Sequence, residues 1–405
     1  MSELLNFIEN KREEVVSELI NLVKARTVNP PGDVSEGIEV VRSILDRYNV
    51  SYKIVEPVKG KKNLIAEVGD EDEKALILNG HIDVVPPGEK WEIDPFSAKL
   101  DGDTLMGRGT SDMKSGVIAL IYAFLAHRNR KVGKVVLTIV ADEETGGKYG
   151  VRYLIDNGLV TGDACLVAEP TGSLKLSKYN IVAGEKGNLW LRIRSHGKSA
   201  HGSMPMLGEN AIKKISMLVS GLPITLPNPI DIPLDARDIV NNGKVWLDRV
   251  NEGAGDAIDH LTINIGTIRG GSKINIVPDK AEIEVDVRIP IGLSTDMALR
   301  EVQEIVREGF DIEVIDKTEP SYTPANSFIA QIVRDVGQRF LKYEPVSLCM
   351  PATSDARFFR YSGIPTVNFG PGFLELAHTD KEFVYVSHVV QFSKMYAMII
   401  EKFFQ

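Results

Sequence analysis

The stretch Ala75-Leu-Ile-Leu-Asn-Gly-His-Ile-Asp83 decides the fold, because a short aliphatic run passes directly into His81 and Asp83. Similar aliphatic or β-branched runs at residues 63–68, 134–141 and 164–168 are typical of buried strands. A helical stretch at residues 115–127 lies among them. Strands that alternate with helices predict an α/β domain whose sheet is mixed and mainly parallel, with helices on its faces.

The pattern changes after residue 181. The order becomes strand 189–195, helix 210–220, strands 261–268 and 281–289, helix 295–308 and strand 312–315, which predicts an inserted ferredoxin-like α+β domain. Ala281, Ile283 and Val285 alternate with charged residues, as in a strand with one buried face. Residues 222–260 are rich in Pro, Asp, Asn and Gly, and we expect an extended excursion there.

The chain then returns to α/β character with helix 328–340, strand 366–369 and helix 387–404. We therefore expect one domain from residues 1–181 and 317–405, and a second from residues 182–316. Two domains also suit the length of 405 residues.

Composition excludes several classes of protein. The net charge is -9 and no basic cluster occurs, which argues against a nucleic-acid partner. The longest apolar run, residues 116–126, is too short to cross a membrane, and no secretory signal is visible. Two cysteines, Cys165 and Cys349, cannot form a disulfide framework and suit a reducing cytoplasm.

Polar side chains follow the predicted strands at the points where the strands end. Because the carboxyl ends of parallel strands share one edge, four segments deliver histidines and carboxylates to one place. A mixed set of nitrogen and oxygen ligands suits zinc, and cobalt or manganese nearly as well. Such a concentration of negative charge also requires cations, and two divalent ions would neutralise it. The residues concerned are His81, Asp83, Glu143, Glu144, Glu169 and His378, with Asp112 before a helix.

Each motif alone has a simpler interpretation as solvated surface or a local hydrogen bond. A dinucleotide-binding loop at Gly107-Arg-Gly109 is excluded, because Asp112 takes the place of the third glycine and would repel a pyrophosphate. The joint occurrence of five motifs, four after predicted strands and one before a helix, favours a metal site.

These motifs resemble the two-metal deacylases and exopeptidases that include acetylornithine deacetylase, succinyl-diaminopimelate desuccinylase, aminoacylase and glutamate carboxypeptidase. They occur in the family's order over nearly the whole chain. The resemblance implies a zinc-exopeptidase-like fold whose small domain is a lid and a homodimerisation surface. The matching segments are Gly80-His-Ile-Asp-Val-Val-Pro86, Trp91-Glu-Ile-Asp-Pro-Phe96, Gly107 to Lys114, Asp142-Glu-Glu144, Ala168-Glu-Pro-Thr171, Ser199-Ala-His-Gly-Ser-Met-Pro205 and Ala377-His-Thr-Asp380.

The resemblance also implies a role for each site residue. Asp112 would bridge two ions, and the Asp112–Met113 peptide bond would be cis. Asp83 would orient a metal-bound imidazole. Glu143 would act as the general base that activates a metal-bridging water. The other ligands would form two pairs, His81 with Glu169 and Glu144 with His378.

Substrate-binding residues are also implied by the resemblance. His201 would stabilise the oxyanion, although it could be a loop histidine bonded to backbone. Arg288 would hold a carboxylate, although a salt bridge to Glu284 is an alternative. Turn chemistry is the alternative for Thr353, Gly370 and Gly372. The set of substrate-binding candidates is Asn275, Arg288, Thr353, Gly370 and Gly372.

The substrate remains open at this point. A metal-dependent deacylase of small N-acyl amino acids leads, with a dipeptidase, tripeptidase or carboxypeptidase as the alternative. Bacterial desuccinylases carry paired arginines where this chain reads Gly184-Glu-Lys-Gly187, and residues 222–260 exceed the short bacterial lids. A non-catalytic binding protein on the same fold is the third hypothesis.

Overall fold

The computed structural model describes residues 2–69, 74–130, 133–226, 230–306 and 308–405. The chain divides into two compact units. The first contains Met1–Ala183, Thr323–Leu348 and Ser354–Gln405, and the second contains Gly184–Tyr322 and Cys349–Thr353.

The first unit is built on a mixed sheet. Its central strands are buried along their whole length, as expected where helices cover both faces. The first ten strands are β1 Tyr52–Val55, β2 Asn63–Gly69, β3 Ala75–His81, β4 Lys99–Asp101, β5 Thr104–Met106, β6 Lys134–Val140, β7 Ala164–Val167, β8 Gly172–Ser173, β9 Lys178–Tyr179 and β10 Ile181–Glu185. The later strands are β11 Gly187–His196, β12 Thr225–Leu226, β13 Leu261–Gly270, β14 Lys280–Ile289, β15 Phe310–Thr318, β16 Ser321–Tyr322, β17 Ser347–Met350, β18 Thr366–Asn368 and β19 Phe383–Tyr385.

Strand order in the first unit follows β1-β2-β6-β3-β7-β18-β10. The four strands β6, β3, β7 and β18 are parallel, while β1, β2 and β10 pair antiparallel with their neighbours. This arrangement confirms the predicted fold class of a mixed sheet with a parallel centre.

The helices of the first unit pack against this sheet. The most apolar of them, α4, is buried at nearly every position and contacts α12, which explains why it was recognisable from hydrophobicity alone. The helices of the chain are α1 Ser2–Asn10, α2 Arg12–Lys24, α3 Ser35–Arg47, α4 Ser115–His127, α5 Val151–Asp156, α6 Ala211–Gly221, α7 Arg237–Val250, α8 Asp256–Asp259, α9 Thr295–Val306, α10 Phe328–Leu341, α11 Ala356–Tyr361 and α12 Val386–Phe403.

The second unit contains an antiparallel sheet in the order β12-β13-β14-β11-β15. Strands β11, β13, β14 and β15 with helices α6 and α9 give the βαββαβ order of a ferredoxin-like fold. Strand β14 alternates strictly, because every second side chain from Ala281 to Ile289 enters a core shared with α6 and α9. The predicted alternation is therefore confirmed.

Two expectations about the second unit need correction. Residues 222–260 are not simply extended, because they contain α7, a helix whose apolar face repeats at Ile239, Gly243, Trp246 and Val250. The spacing was present in the sequence, but the surrounding Pro, Asp and Asn obscured it. The unit also extends beyond the predicted limit of residue 316, since β15 runs to Thr318.

Among the described residues, no helix is both long and apolar enough to cross a membrane.

Candidate metal centre

Three neighbouring parallel strands bring the predicted site residues to one edge of the sheet. Strand β3 ends at His81 and lies between β6 and β7, and all three run in the same direction. Glu143 and Glu144 follow β6, and Glu169 follows β7. Their carboxyl ends therefore meet at the position where open α/β sheets bind ligands.

The first ligand group is His81, Asp112 and Glu169. The His81 Nε2 atom lies 3.2 Å from Asp112 Oδ1 and 3.5 Å from Glu169 Oε1. One donor atom from each residue falls within 4.8 Å of the other two. One imidazole and two carboxylates at this separation match the donor set of a divalent metal.

The second ligand group is Asp112, Glu144 and His378. Here His378 Nε2 lies 3.3 Å from Asp112 Oδ2 and 3.0 Å from Glu144 Oε2. The two oxygens of Asp112 thus face two different histidines. Asp112 belongs to both groups, as a bridging carboxylate must, and the Asp112–Met113 peptide bond is cis, as the resemblance implied.

The charge of the cleft fits a pair of cations. Burial raises the pKa of Glu169 well above its usual value, although His81 opposes the rise. Burial also raises the pKa of Glu144, and Asp112 adds to it. Within the described residues, the buried Glu144 Oε1 atom has no hydrogen-bond partner. Divalent ions would supply positive charge to both carboxylates and a partner to Glu144 Oε1.

Both histidines are basic in this environment. Burial lowers the pKa of His81, but Glu169 and the hydrogen bond with Asp112 outweigh burial, so the pKa lies well above the usual value. Hydrogen bonds with Asp112 and then Glu144 raise the pKa of His378 to about 11. Metal binding would replace these protons, because a coordinating imidazole must be neutral.

Glu143 lies beside the ligand groups and belongs to neither of them. Burial raises its pKa well above the usual value, with His81 opposing the rise and Asp355 adding to it. Its Oε1 atom lies 3.9 Å from Arg357 Nη1. A carboxylate with a raised pKa next to a metal site is suited to proton transfer near neutral pH.

Asp83 lies between His81 and the turn that carries Glu143 and Glu144. The His81 Nδ1 atom lies 3.0 Å from the Asp83 carbonyl oxygen and 3.5 Å from its Oδ1 atom. The Asp83 carboxylate also accepts hydrogen bonds from the backbone N–H groups of Glu143 and Glu144, each at 3.2 Å. One side chain therefore contacts a predicted metal ligand and the turn that carries the predicted base.

Sequence reasoning missed a buried ion pair under the bridging aspartate. Glu382 accepts hydrogen bonds from Arg108 Nη1 at 2.6 Å and from the backbone N–H groups of Gly109, Ser111 and Asp112 at 2.8 to 3.0 Å. Burial raises the pKa of Glu382 to about 7, although Arg108 and the N–H groups of Asp112 and Gly109 oppose the rise. The sequence signal for this role of Glu382 is weak, since it is only the position four residues after His378.

Asp355, two residues after Thr353, was assigned no role in the metal centre from the sequence. It is completely buried, and neither of its carboxylate oxygens has a hydrogen-bond partner in the described parts of the chain. Burial raises its pKa to about 7, with Arg357 and His81 opposing the rise. A buried carboxyl without partners adds to the negative charge around Glu143.

The predicted lid residues lie in the second unit. The His201 Nδ1 atom forms a hydrogen bond within its own loop, 2.6 Å from Ser203 Oγ. His201 also pairs with Ile276 in a short β-bridge, which places Asn275 next to it. Arg288 pairs with Asp286 at 3.1 Å, so the alternative of a salt bridge to Glu284 is wrong. Glu284 is paired with Arg192 instead.

Thr353 and the two glycines have different surroundings. Thr353 falls within the second unit, although we expected it on the catalytic domain. A Cβ atom on Gly370 would lie 2.2 Å from the Ala168 carbonyl oxygen, and one on Gly372 would lie 2.1 Å from that of Ser111. These glycines permit a close approach to the segments that carry Glu169 and Asp112, and their contact with substrate stays a prediction.

Comparisons with known proteins agree with this geometry. A succinyl-diaminopimelate desuccinylase of Paracoccus denitrificans is 29% identical over 362 residues, covering 85% of this chain and 87% of the relative. A metallo-carboxypeptidase of the M20 family from Sulfolobus solfataricus has a similar structure, with a TM-score of 0.77 at 20% identity over 96% of this chain and 98% of that chain.

A dinuclear metal binding peptidase of the M20 family from Bacillus subtilis is also similar, with a TM-score of 0.64 at 17% identity over 97% of this chain and 98% of that chain. The family model described as peptidase family M20/M25/M40 matches residues 77–402. Because this match covers most of the sequence, the chain belongs to peptidase family M20/M25/M40 and is a metal-dependent hydrolase.

Proposed function

We propose that the chain hydrolyses the amide bond of a small N-acyl amino acid, with two divalent ions, zinc foremost, held by the two ligand groups. The observation that carries this proposal is the shared aspartate. Asp112 presents Oδ1 to His81 and Oδ2 to His378, so one carboxylate serves both groups. Cobalt or manganese would suit the same donors.

When bound, the ions supply Lewis acidity that lowers the pKa of a water and polarises the amide carbonyl. The chain's own residues would carry out the proton transfer. Glu143 takes the proton from the attacking water and passes it to the leaving amine, and its raised pKa fits both steps. Asp83 keeps His81 oriented and holds the turn that carries Glu143.

Residues of the second unit would complete substrate recognition. His201 would donate to the oxyanion, since its Nδ1 atom is already used within the loop and the other ring nitrogen has no hydrogen-bond partner among the described residues. Asn275 and Arg288 would bind polar groups of the substrate, and Thr353, Gly370 and Gly372 would line its path. The pairing of Arg288 with Asp286 means that a substrate carboxylate would have to compete for the guanidinium.

A homodimer through the second unit is part of the proposal. This unit exposes large apolar side chains, among them Met206 at 77%, Met217 at 71% and Ile274 at 102% relative exposure. Covering such side chains is a common reason for association. A cytoplasmic location is also proposed, because both cysteines are free and buried.

A peptidase is the second candidate function. The structural likeness to a metallo-carboxypeptidase and the desuccinylase relative point to the same bond chemistry on different substrates. A panel of N-acetyl amino acids, N-succinyl amino acids and dipeptides, assayed with zinc and with cobalt, separates the two. A non-catalytic binding protein would hydrolyse none of them with both metals bound.

Glu143→Ala tests the proposed role of the base. We expect the variant to keep its metal content and to lose roughly two to four decades of turnover, the usual contribution of a positioned acid/base group. Metal content measured by elemental analysis is the control, and Glu143→Gln is the matched variant that keeps the side-chain shape. Near-normal turnover of metal-loaded Glu143→Ala would show that this assignment is wrong.

A further inference from the structure

Two buried polar residues outside every predicted motif reach the turn that carries Glu143. Asn29 and Lys61 are 2% and 8% exposed, and both precede residue 77, where the match to the family model begins. Burying an amide and an ammonium group is costly unless both are hydrogen-bonded. The hydrogen-bond partners of Asn29 and Lys61 therefore indicate which part of the protein these two residues hold in place.

Backbone pairing fixes the place of Asn29. The Val84 N–H group donates to the Thr27 carbonyl at 3.0 Å, and the Asn29 N–H group donates to the Val84 carbonyl at 2.8 Å. The N-terminal segment thus runs alongside the segment that follows β3. In this register Asn29 Nδ2 donates to Asp83 Oδ2 at 2.8 Å.

Lys61 completes the network from the other side. Its ammonium group donates to Asn29 Oδ1 at 2.9 Å and to Asp142 Oδ1 at 2.7 Å. The space for the ammonium exists because residue 32 is a glycine at φ +81, and a Cβ atom there would lie 1.9 Å from Lys61 Nζ. Lysine, asparagine and glycine are therefore fitted to one another.

The two carboxylates that this network holds flank the catalytic turn. The Asp83 carboxylate receives the N–H groups of Glu143 and Glu144. Asp142 begins the turn at φ 77, in the left-handed region that a non-glycine residue seldom adopts, and accepts a hydrogen bond from Thr145 Oγ1 at 2.8 Å. Asn29 and Lys61 thus reach both anchors of the turn.

We propose that Asn29 and Lys61 are positioning residues for the reaction: they orient the carboxylates of Asp83 and Asp142, and through them the turn that carries Glu143 and Glu144. The proposal rests on the roles proposed for Asp83 and Glu143. It assigns a positioning role to two residues whose side-chain hydrogen bonds, among the described residues, go to Asp83, Asp142 and Thr145 and to each other. A purely structural cross-link is the competing explanation, and the two differ in what substitution does to turnover and metal binding.

The test uses Asn29→Ala and Lys61→Met in the full chain, with Lys59→Met at an exposed position as the matched control. We expect each network variant to lose about tenfold to hundredfold in kcat and in cobalt affinity, the usual effect of residues behind a metal site. The cobalt affinity is measured by calorimetry on metal-free protein, without substrate. KM should change little, because the network positions the turn that acts in the reaction step.

A double-mutant cycle with Asp83→Asn separates positioning from simple cross-linking. Asn29→Ala should cost much less kcat in the Asp83→Asn background than it costs alone, and only a small loss should remain, because Asn29 Nδ2 also donates to Thr145 Oγ1 at 3.0 Å. Additive losses, or wild-type kcat and cobalt affinity in folded Asn29→Ala, would overturn the proposal. If Lys61→Met does not fold, Lys61→Arg keeps the charge, and its kcat must lie between those of wild type and Asn29→Ala.

This outcome is distinguishable from failure of the proposed function. If Glu143→Ala kept normal turnover, Glu143 would not be the base and the proposed function would fail. The cobalt affinities of the Asn29 and Lys61 variants are measured without turnover, so they test the positioning role separately.

Discussion

Arg108→Met tests whether the buried ion pair beneath Asp112 holds the bridging ligand in place. Arg108 and Glu382 are 2% and 0% exposed, and methionine keeps most of the apolar stem that packs there. The substitution leaves the Glu382 carboxylate buried without its cation. Breaking a buried pair in this way costs about 3 to 5 kcal/mol. The three backbone N–H donors remain, so we expect the lower part of that range.

The loss should depend on pH, and the sign follows from the raised pKa of Glu382. Its pKa in the folded protein is about 7 against 4.5 for a free glutamate, so the protonated form is favoured by folding. The stability from this group is present below the unfolded value and is lost as pH rises through about 7. Arg108→Met raises the folded pKa further, and its cost in unfolding free energy is therefore larger at alkaline than at acidic pH.

Urea unfolding of the metal-free protein measures this cost. The Trp91 ring lies 5.4 Å from the Arg108 guanidinium, which makes tryptophan fluorescence a local probe alongside circular dichroism. The double variant Arg108→Met/Glu382→Gln removes both charges and should recover most of the loss. A loss below about 1 kcal/mol that is equal at both pH extremes would refute the reasoning, because exposed pairs behave in that way.

Two further predictions concern the metal-free site. Zinc binding should release protons and weaken as pH falls. The reason is that His81 and His378 must lose their protons to bind zinc, and the pKa of His378 is raised to about 11. Calorimetry in two buffers of different ionisation enthalpy measures the proton release. Asp355→Asn should stabilise the metal-free protein by roughly 2 to 4 kcal/mol at pH above 7. Because burial raises the pKa of Asp355 to about 7 in the folded protein, the stability from this carboxyl is present below about pH 4 and is lost as pH rises through 7. Thermal unfolding across that pH range measures the effect, and an unchanged pH dependence would contradict it.

The fold was predictable where one periodicity dominated. Helix α4 was predicted at its observed bounds because it is almost wholly apolar, and β14 because its side chains alternate strictly between core and solvent. Helix α7 was missed, because its five buried positions are interspersed with Asn, Asp and Lys. Amphipathic spacing of that kind becomes decisive only once a packing partner is known.

The metal ligands were predictable because each stands at the end of a strand or beside a distinctive motif. Their supporting residues were not. Asn29 lies 54 residues from Asp83, and Glu382 lies 270 residues from Asp112, so no local pattern links them. Partners of this kind are set by the tertiary fold, and an asparagine or glutamate in a polar segment is otherwise typical of surface.

Titration of metal-free protein with cobalt or zinc tests the central claim most directly. Calorimetry should show two equivalents bound per chain, with His81→Ala weakening one site and His378→Ala weakening the other. Asp112→Ala should weaken both sites together, because its two oxygens face the two histidines. A single equivalent in the unaltered chain, or an Asp112→Ala variant that still binds two ions at full affinity, would contradict the two-metal account.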